Sequence, residues 1–194
     1  RCGRPGGNQS RELFIAGLGP VTRVLYVVTG LSTGGAEMML FKLIRAMDRG
    51  RFPPVVVSLI DKGALGERIE ALGVPVHALG MSRSIASMAR LRFLARLITR
   101  IRPDIVQGWM YHANLVASVA AALAHGPASV IWGVRASLDG HENERRSTAA
   151  AIRIGAWASR FTDGIVYNSQ TSARQHEMFG YARARTQVIP NGFD

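Results

Sequence analysis

The stretch Arg23-Val-Leu-Tyr-Val-Val-Thr29, followed directly by Gly30-Leu-Ser-Thr-Gly-Gly-Ala-Glu37, decides the fold. Its first part is a continuous apolar run of strand length, which predicts a strand that is buried on both faces. A glycine-bearing loop follows, and residues 36–47 then carry apolar side chains at helical spacing, which predicts one buried stripe of Met39, Leu40, Leu43, Ile44 and Met47. A buried strand, a glycine-rich loop and an amphipathic helix in this order are typical of the opening of a doubly wound α/β sheet.

The same alternation continues along the chain. Further buried strands are predicted at 54–60, 74–79, 104–107, 128–133, 163–168 and 186–189. Helices are predicted at 64–72, 84–101, 113–124, a segment ending near 161, and 169–179, where Ser169 is the expected N-cap. Strands that alternate with helices predict a Rossmann-like parallel sheet with helices on both faces.

Length and composition agree with one α/β domain. The chain has 194 residues, of which 47% are hydrophobic and 19% are charged, so a sizeable core can form. Cys2 is the only cysteine, which excludes an internal disulfide and a cysteine metal site and fits a reducing compartment. Residues 1–20 are rich in Gly, Pro and Arg, and we expect a disordered leader there.

The charge balance is strongly basic. The net charge is +11, carried by 22 arginines and two lysines. A positive field of this size suggests an anionic partner, either a nucleic acid, a lipid surface or a phosphorylated small molecule. The alternative to an anionic partner is a compositional bias of the source genome, in which Arg replaces Lys throughout.

The loop Gly30–Glu37 excludes two common nucleotide motifs. A dinucleotide fingerprint needs glycine at position 32, where Ser32 stands, and a P-loop needs Lys-Ser/Thr where Ala36 and Glu37 stand. Glycines before a helix still let an anion approach the backbone N–H groups of its first turn, although a tight turn alone would also use them. Glu37 is either a substrate contact or a favourable first-turn acid.

Five segments resemble, in the same order, the family 4 glycosyltransferases, which have the GT-B fold. They are LYVVTGLSTGGAEMML, QGWMYHANLVA, VIWGVRAS, DGIVYNSQTSARQH and VIPNGFD, and they span residues 25–194. The resemblance implies two Rossmann-like domains facing each other across a cleft. Residues 21–190 would be the N-terminal, acceptor-side domain, and 191–194 would begin the linker to a C-terminal donor-binding domain. The chain alone would then be an incomplete enzyme.

The resemblance also implies a set of site residues. His112 and Arg135 are the expected catalytic residues, and the loop that approaches the phosphates and sugar of the donor contains Gly30, Gly34 and Gly35. The expected acceptor-side residues are Glu37, Trp109, Tyr111, Asn114 and Ser137. Ligands of an open α/β sheet bind outside the carboxyl ends of its strands, so we expect these residues at one edge.

Two of these residues have alternative interpretations. Many family members carry His at the position of Arg135; arginine stays charged and cannot act as a general base, so we expect it to clamp a phosphate or carboxylate. An ordinary surface arginine is the alternative. His112 donates a hydrogen bond or shuttles a proton to a substrate oxygen, or it is structural.

The implied reaction is transfer of a sugar from a nucleotide-sugar donor to a hydroxyl of a glycan or lipid-linked acceptor, with retention of configuration, in polysaccharide or cell-envelope synthesis. No metal or other cofactor is expected, although His141, Glu142 and Glu144 mimic metal ligands. Two rival functions stay open, a sugar-nucleotide epimerase of the same fold and a non-catalytic basic binding module. An NAD-dependent enzyme is disfavoured by the missing glycine fingerprint.

The expected location is cytoplasmic, with peripheral contact to the inner face of the membrane. Residues 84–102 form a basic amphipathic helix in which Arg92, Arg96 and Arg100 recur every four residues, and such a helix lies on an anionic membrane or simply faces solvent. A nucleic-acid partner is not expected, because only 7% of residues are aromatic and no base-stacking motif is present.

Overall fold

The computed structural model describes residues 21–81, 86–139 and 145–192. These residues form seven strands: β1 (Val24–Val28), β2 (Pro54–Ser58), β3 (Val76–Ala78), β4 (Ile105–Trp109), β5 (Ser129–Val134), β6 (Gly164–Tyr167) and β7 (Thr186–Val188). Six helices connect them: α1 (Gly35–Ala46), α2 (Gly63–Glu70), α3 (Ala86–Ile101), α4 (Tyr111–Ala124), α5 (Arg146–Ala158) and α6 (Gln170–Phe179). All neighbouring strands pair in parallel in the order β3-β2-β1-β4-β5-β6-β7, which confirms the predicted fold class.

Strand β1 lies at the centre of the core and is buried along its whole length. Val24, Tyr26 and Val28 pack with buried side chains of α1 and α2 on one face of the sheet. Leu25 and Val27 pack with α3 and α4 on the other face. The side chains of a strand alternate between the two faces, so a continuous apolar run is what a doubly covered strand requires.

Strand β4 is longer than the sequence predicts. Its pairing continues past Gln107, because Trp109 stands in register with Val28 of β1 and with Gly133 of β5. Helix α4 begins at Tyr111 rather than at Ala113, which leaves Met110 as the whole connection. Residues that the sequence assigns to a loop therefore lie on a strand and a helix, which hold them more rigidly.

Helices α3, α4 and α5 form a single layer on one face of the sheet, with α3 packed against α4 and α4 against α5. Helix α6 follows β6 and begins as predicted, because the Ser169 hydroxyl accepts a hydrogen bond from the backbone N–H of Ser172 at 3.1 Å. Gly180, with φ of 111°, ends it in the left-handed region.

Helix α1 is rotated relative to the predicted stripe of Met39, Leu40, Leu43, Ile44 and Met47. The buried residues are Leu40, Phe41 and Ile44, whereas 38% of Leu43 is exposed. Packing against β1 and α2 fixes this rotation, and spacing alone could not. As a result, the half-buried Met39 contributes to the edge of the sheet described below.

Several predictions fall on residues that the structure does not describe. They are the leader 1–20, the start of the basic helix at Ser84, and the three residues His141, Glu142 and Glu144. Within the described ranges, no helix is both long enough and apolar enough to cross a bilayer.

Candidate functional site

The carboxyl ends of the strands meet at one edge of the sheet, as a parallel arrangement requires. Strand order reverses between β1 and β4, and the crevice at such a switch point is where open α/β sheets bind ligands. An open pocket of about 330 Å³ lies at this edge, between the first two turns of α1 and the ends of β5 and β7. It is lined by Gly35, Ala36, Met38, Met39, Lys42, Arg135 and Asn191.

The N-terminus of α1 forms one wall of the pocket. Gly34 is the N-cap, and no side chain caps the helix there, so backbone N–H groups of the first turn are available to a ligand. At Gly35 an added Cβ would meet no atom within 4 Å, and the glycine is exposed. A Cβ at Gly34 would instead collide with the carboxylate of Glu37. The Glu37 side chain thus folds back over the first turn, which favours its interpretation as a first-turn acid.

Arg135 follows β5 and forms the opposite wall. Its guanidinium carbon lies 4.9 Å from the centroid of the Trp109 ring, within the range of a cation–π contact. Nη1 donates to Asn191 Oδ1 at 2.9 Å and to the Ile189 carbonyl at 3.4 Å. Nε is buried and has no acceptor among the described residues. Arg135 is therefore not an ordinary surface arginine, and one of its buried donors is left without an acceptor among the described residues.

Aromatic residues beneath Arg135 set its electrostatics. Trp109 is 1% exposed, donates from Nε1 to the Ala36 carbonyl at 2.8 Å, and packs edge-on against Tyr26 at 6.2 Å between ring centroids. Burial raises the pKa of Tyr26 to about 12, against a smaller opposing effect of the Arg135 charge. Burial likewise lowers the pKa of Arg135, which still stays protonated at neutral pH. The pocket thus presents a fixed, partly desolvated positive charge, whose attraction for an anion is stronger than in bulk water.

Met110 connects β4 to α4 in a strained conformation. Its φ of 72° and ψ of 169° lie in a region that is almost exclusive to glycine and costs roughly 1–3 kcal/mol. Its N–H donates to the Gly133 carbonyl at 2.9 Å, and its sulfur accepts from the Arg135 N–H at 3.3 Å. Met110 thereby ties the ends of β4 and β5 together, and strain of this kind concentrates at functional sites.

His112 and Tyr111 occupy the first turn of α4 and point to different environments. His112 is half-buried, and its ring makes no hydrogen bond to any residue in 21–81, 86–139 or 145–192. Tyr111 is buried, and its hydroxyl lies 3.0 Å from Nε2 of His176. The Tyr111 side chain is thus part of the core cluster beneath α5 and α6 rather than of the pocket wall.

His176 is fully buried within this cluster and stacks against Tyr111. Its Nδ1 donates to the Ser172 carbonyl at 2.8 Å, which leaves Nε2 as the acceptor for Tyr111. Burial lowers the pKa of His176, although the hydrogen bond to Ser172 acts in the opposite direction. The neutral imidazole is therefore the form that the folded protein favours.

Stability should consequently fall as the pH falls through the unfolded-state pKa of histidine near 6.5. The unfolded chain takes up a proton at this pH, whereas folded His176 resists protonation. The contribution of His176 to the free energy of unfolding is therefore fully present above that pH and is lost below it, with a slope of at most about 1.4 kcal/mol per pH unit. Urea unfolding between pH 7.5 and pH 5.5, in this protein and in His176→Leu, measures the effect. The variant should be less stable at every pH but show a shallower slope; equal slopes would contradict the assignment.

The remaining predicted residues are only partly brought together. Asn114 is buried, donates to the Gly133 carbonyl at 3.4 Å, and has no partner for Oδ1 among the described residues. Asn114 packs against Gly108 of β4 and does not line the pocket. Ser137 is exposed beyond the end of β5, and Gly30 is half-buried at the end of β1 with no atom within 4 Å of an added Cβ. Of the predicted set, Gly35 and Arg135 line the same pocket.

Lys42 and Asn191 also line the pocket and were missed by the sequence prediction. Lys42 follows Gly35 by seven residues, two helical turns later on the same face of α1, with Met38 and Met39 between them. This spacing was a usable signal, because Lys42 is one of only two lysines in the chain. Asn191 had no such signal, because it reaches the pocket only through the return of the chain after β7.

In 21–81, 86–139 and 145–192, no group of three or more His, Cys, Asp or Glu side chains is arranged to hold a metal ion.

Comparison with solved structures places the fold. Anabaena Alr3699/HepE in complex with UDP and glucose superposes with a TM-score of 0.70 at 23% identity, over 89% of this chain and 45% of that chain. The apo lipopolysaccharide outer core galactosyltransferase WaaB gives 0.64 at 15% identity, over 89% and 46%. UDP-N-acetylglucosamine 2-epimerase from Rickettsia bellii gives 0.61 at 11% identity, over 88% and 45%.

The chain therefore spans a little less than half the length of these proteins and has the fold of one half of a GT-B enzyme, the N-terminal half. No curated protein sequence matches it. The family comparison confirms the resemblance that the five segments indicate: residues 33–194 match Glycosyltransferase Family 4, and the chain belongs to that family.

Proposed function

We propose that this domain is the acceptor-side half of a retaining glycosyltransferase. The reaction would move a sugar from a nucleotide-sugar donor to a hydroxyl of a glycan or lipid-linked acceptor, and it would need a donor-binding half as well. The observation that carries the proposal is the pocket at the switch point, where the first turn of α1 faces the half-buried Arg135. Family membership supplies the reaction class.

The geometry suits a reaction in which charge leaves on a diphosphate. The N–H groups of the first turn of α1 and the guanidinium of Arg135 converge on one space, and prepositioned donors of this kind stabilise developing negative charge without reorganising. Arg135 cannot remove a proton, so its role in the proposal is electrostatic. The proposal requires no metal cofactor, because these groups supply the positive charge.

A uridine nucleotide is the first donor to test, since the HepE structure contains UDP and glucose. The experiment incubates the complete gene product with radiolabelled UDP-glucose and a mixture of membrane-extracted glycan acceptors. Transfer of label to acceptor, with the anomeric configuration of the product assigned by NMR, would support the proposal. Hydrolysis or 2-epimerisation of the nucleotide sugar without acceptor would instead support the epimerase alternative, whose fold this chain shares.

His112→Ala is expected to lower kcat of the complete gene product about tenfold or more, because a positioned hydrogen-bond donor or acceptor at the reacting oxygen would be lost. The half-buried ring has no partner among the described residues that would give it a structural role. Steady-state kinetics with the same donor measure the effect. His125→Ala, at an exposed position at the end of α4, is the matched control. Unchanged kcat in His112→Ala would remove His112 from the mechanism.

A further inference from the structure

The layer formed by α3, α4 and α5 carries positive charge and no negative charge. These three helices contain six arginines and not one Asp or Glu. Helices α1, α2 and α6 contain four glutamates between them. Among the described residues, the acidic side chains that directly follow α3 and α5, Asp104 and Asp163, accept hydrogen bonds from the backbone N–H groups of Arg23 and Val130. These three helices therefore carry positive charge alone, which attracts an anionic partner.

Exposed apolar side chains lie on the same three helices. Helix α3 exposes Phe93 (52%), α4 exposes Val119 (48%), and α5 exposes Trp157 (60%). Phe161, in the 3₁₀ turn directly after α5, is 70% exposed and packs edge-on against Trp157 at 5.1 Å between ring centroids. Six of the twelve large hydrophobic residues that are exposed in the described part of the chain lie on these three helices, and Phe161 adjoins them. Clustering of this kind marks an interaction surface rather than ordinary surface variation.

Helix α5 shows how charge and apolar surface are combined. Arg146 and Arg153 on α5 and Arg160 in the 3₁₀ turn after it recur every seven residues and are all exposed. On the helical projection of α5, Arg146 and Arg153 fall on the same side as Trp157. An arginine row beside an aromatic row is the arrangement of interfacial helices, in which the rings enter the headgroup boundary and the guanidinium groups reach lipid phosphates. Helix α3 repeats it, with Arg92, Arg96 and Arg100 exposed beside Phe93.

We propose that the outer face of α3, α4 and α5 docks the domain on an anionic lipid bilayer, with Trp157 and Phe161 as its anchor. The basic helix α3 is then one of three helices that form a larger surface. Nucleic acid fits this surface less well, because aliphatic side chains such as Val119 and Leu123 cannot stack on bases. A second copy of the chain fits less well, because two faces without acidic groups would repel each other. The proposal concerns a face of the domain other than the pocket, so it can fail without affecting the proposed function.

Tryptophan fluorescence tests the proposal directly. Trp109 and Trp132 are each 1% exposed, so Trp157 alone can report contact with lipid. The full chain is mixed with vesicles of phosphatidylcholine containing about one third phosphatidylglycerol, with and without brominated acyl chains. We expect bromine to quench Trp157, and we expect vesicles of phosphatidylcholine alone to bind at least tenfold more weakly, since each arginine near an anionic surface contributes about fivefold.

Variants locate the contact. Trp157→Ala combined with Phe161→Ala should weaken vesicle binding at least tenfold in cosedimentation, whereas Met178→Ala, which removes an 89% exposed side chain from α6, should leave it unchanged. Trp157→Phe should still sediment with vesicles but lose the quenching signal. Three results would overturn the proposal: no binding to anionic vesicles, binding without quenching of Trp157, or protection of Trp157 by a single-stranded oligonucleotide or by dimerisation in the absence of lipid.

Discussion

Gly108→Ala is expected to lower the free energy of unfolding by about 3 kcal/mol, the upper end of the usual cost of overpacking a core. Gly108 lies in β4, directly beneath the first turns of α4. A Cβ at this position would stand 2.5 Å from the Asn114 Cα and 2.9 Å from the Asn114 N. These are backbone atoms of a helix joined to the strand by Met110 alone, so they cannot move aside without displacing both elements.

Urea unfolding followed by circular dichroism measures this effect. Gly30→Ala is the matched control, because its Cβ would meet nothing within 4 Å and its φ is not positive. The control should change stability by less than about 0.5 kcal/mol, as substitutions without a special mechanism do. Similar midpoints for the two variants would show that α4 is not packed as closely on β4 as the structure has it.

Arg135→Ala is expected to lower kcat/KM of the complete gene product by about 10²–10³-fold, which is the usual cost of removing one prepositioned donor to developing negative charge. The guanidinium is held between Trp109 and Asn191, so its direction is fixed before any ligand arrives. Arg135→Lys should rescue little of the loss, since an ammonium group lacks the planar fork that makes these contacts together.

Stability separates a catalytic role of Arg135 from a structural one. The contacts to Ile189 and Asn191 also hold the chain after β7, so the melting temperatures of all variants are measured beside the kinetics. Arg174→Ala, which removes an exposed arginine from α6, is the control for both measurements. A drop in melting temperature with unchanged kcat/KM would make Arg135 a structural clasp and would remove it from the proposed mechanism.

The sequence predicts the order of the elements well, because the central strands β1, β2 and β4 carry apolar runs long enough to be buried on both faces. It also predicts which loops share an edge, since parallel strands bring all their carboxyl ends together. Element ends are predicted less well. The sequence predicts that a polar loop begins at Trp109, after Gln107. In the structure Trp109 pairs with both neighbouring strands, so β4 extends to include this residue.

Side-chain directions at the edge depend on where α4 begins, which the sequence does not reveal. Tyr111 and Asn114 lie in a motif that resembles a binding loop, yet starting the helix at Tyr111 turns both side chains into the core. Arg135 could be predicted as a residue at a strand end, whereas its stacking on Trp109 depends on the register of β4 against β5. Asn191 reaches the pocket through tertiary structure alone.

The hydrogen bonds from Arg135 to Ile189 and Asn191 couple ligand binding at the pocket to the position of the segment after β7. An anion that draws the guanidinium away from Asn191 and Ile189 must release the segment, and a displacement of the segment must free the guanidinium for the anion. Such linkage is reciprocal. If ligand binding shifts the equilibrium for release of the segment by some factor, then release of the segment raises the affinity for the ligand by the same factor. Through these hydrogen bonds of Arg135, the affinity of the pocket for an anion depends on whether the segment after β7 is held or released.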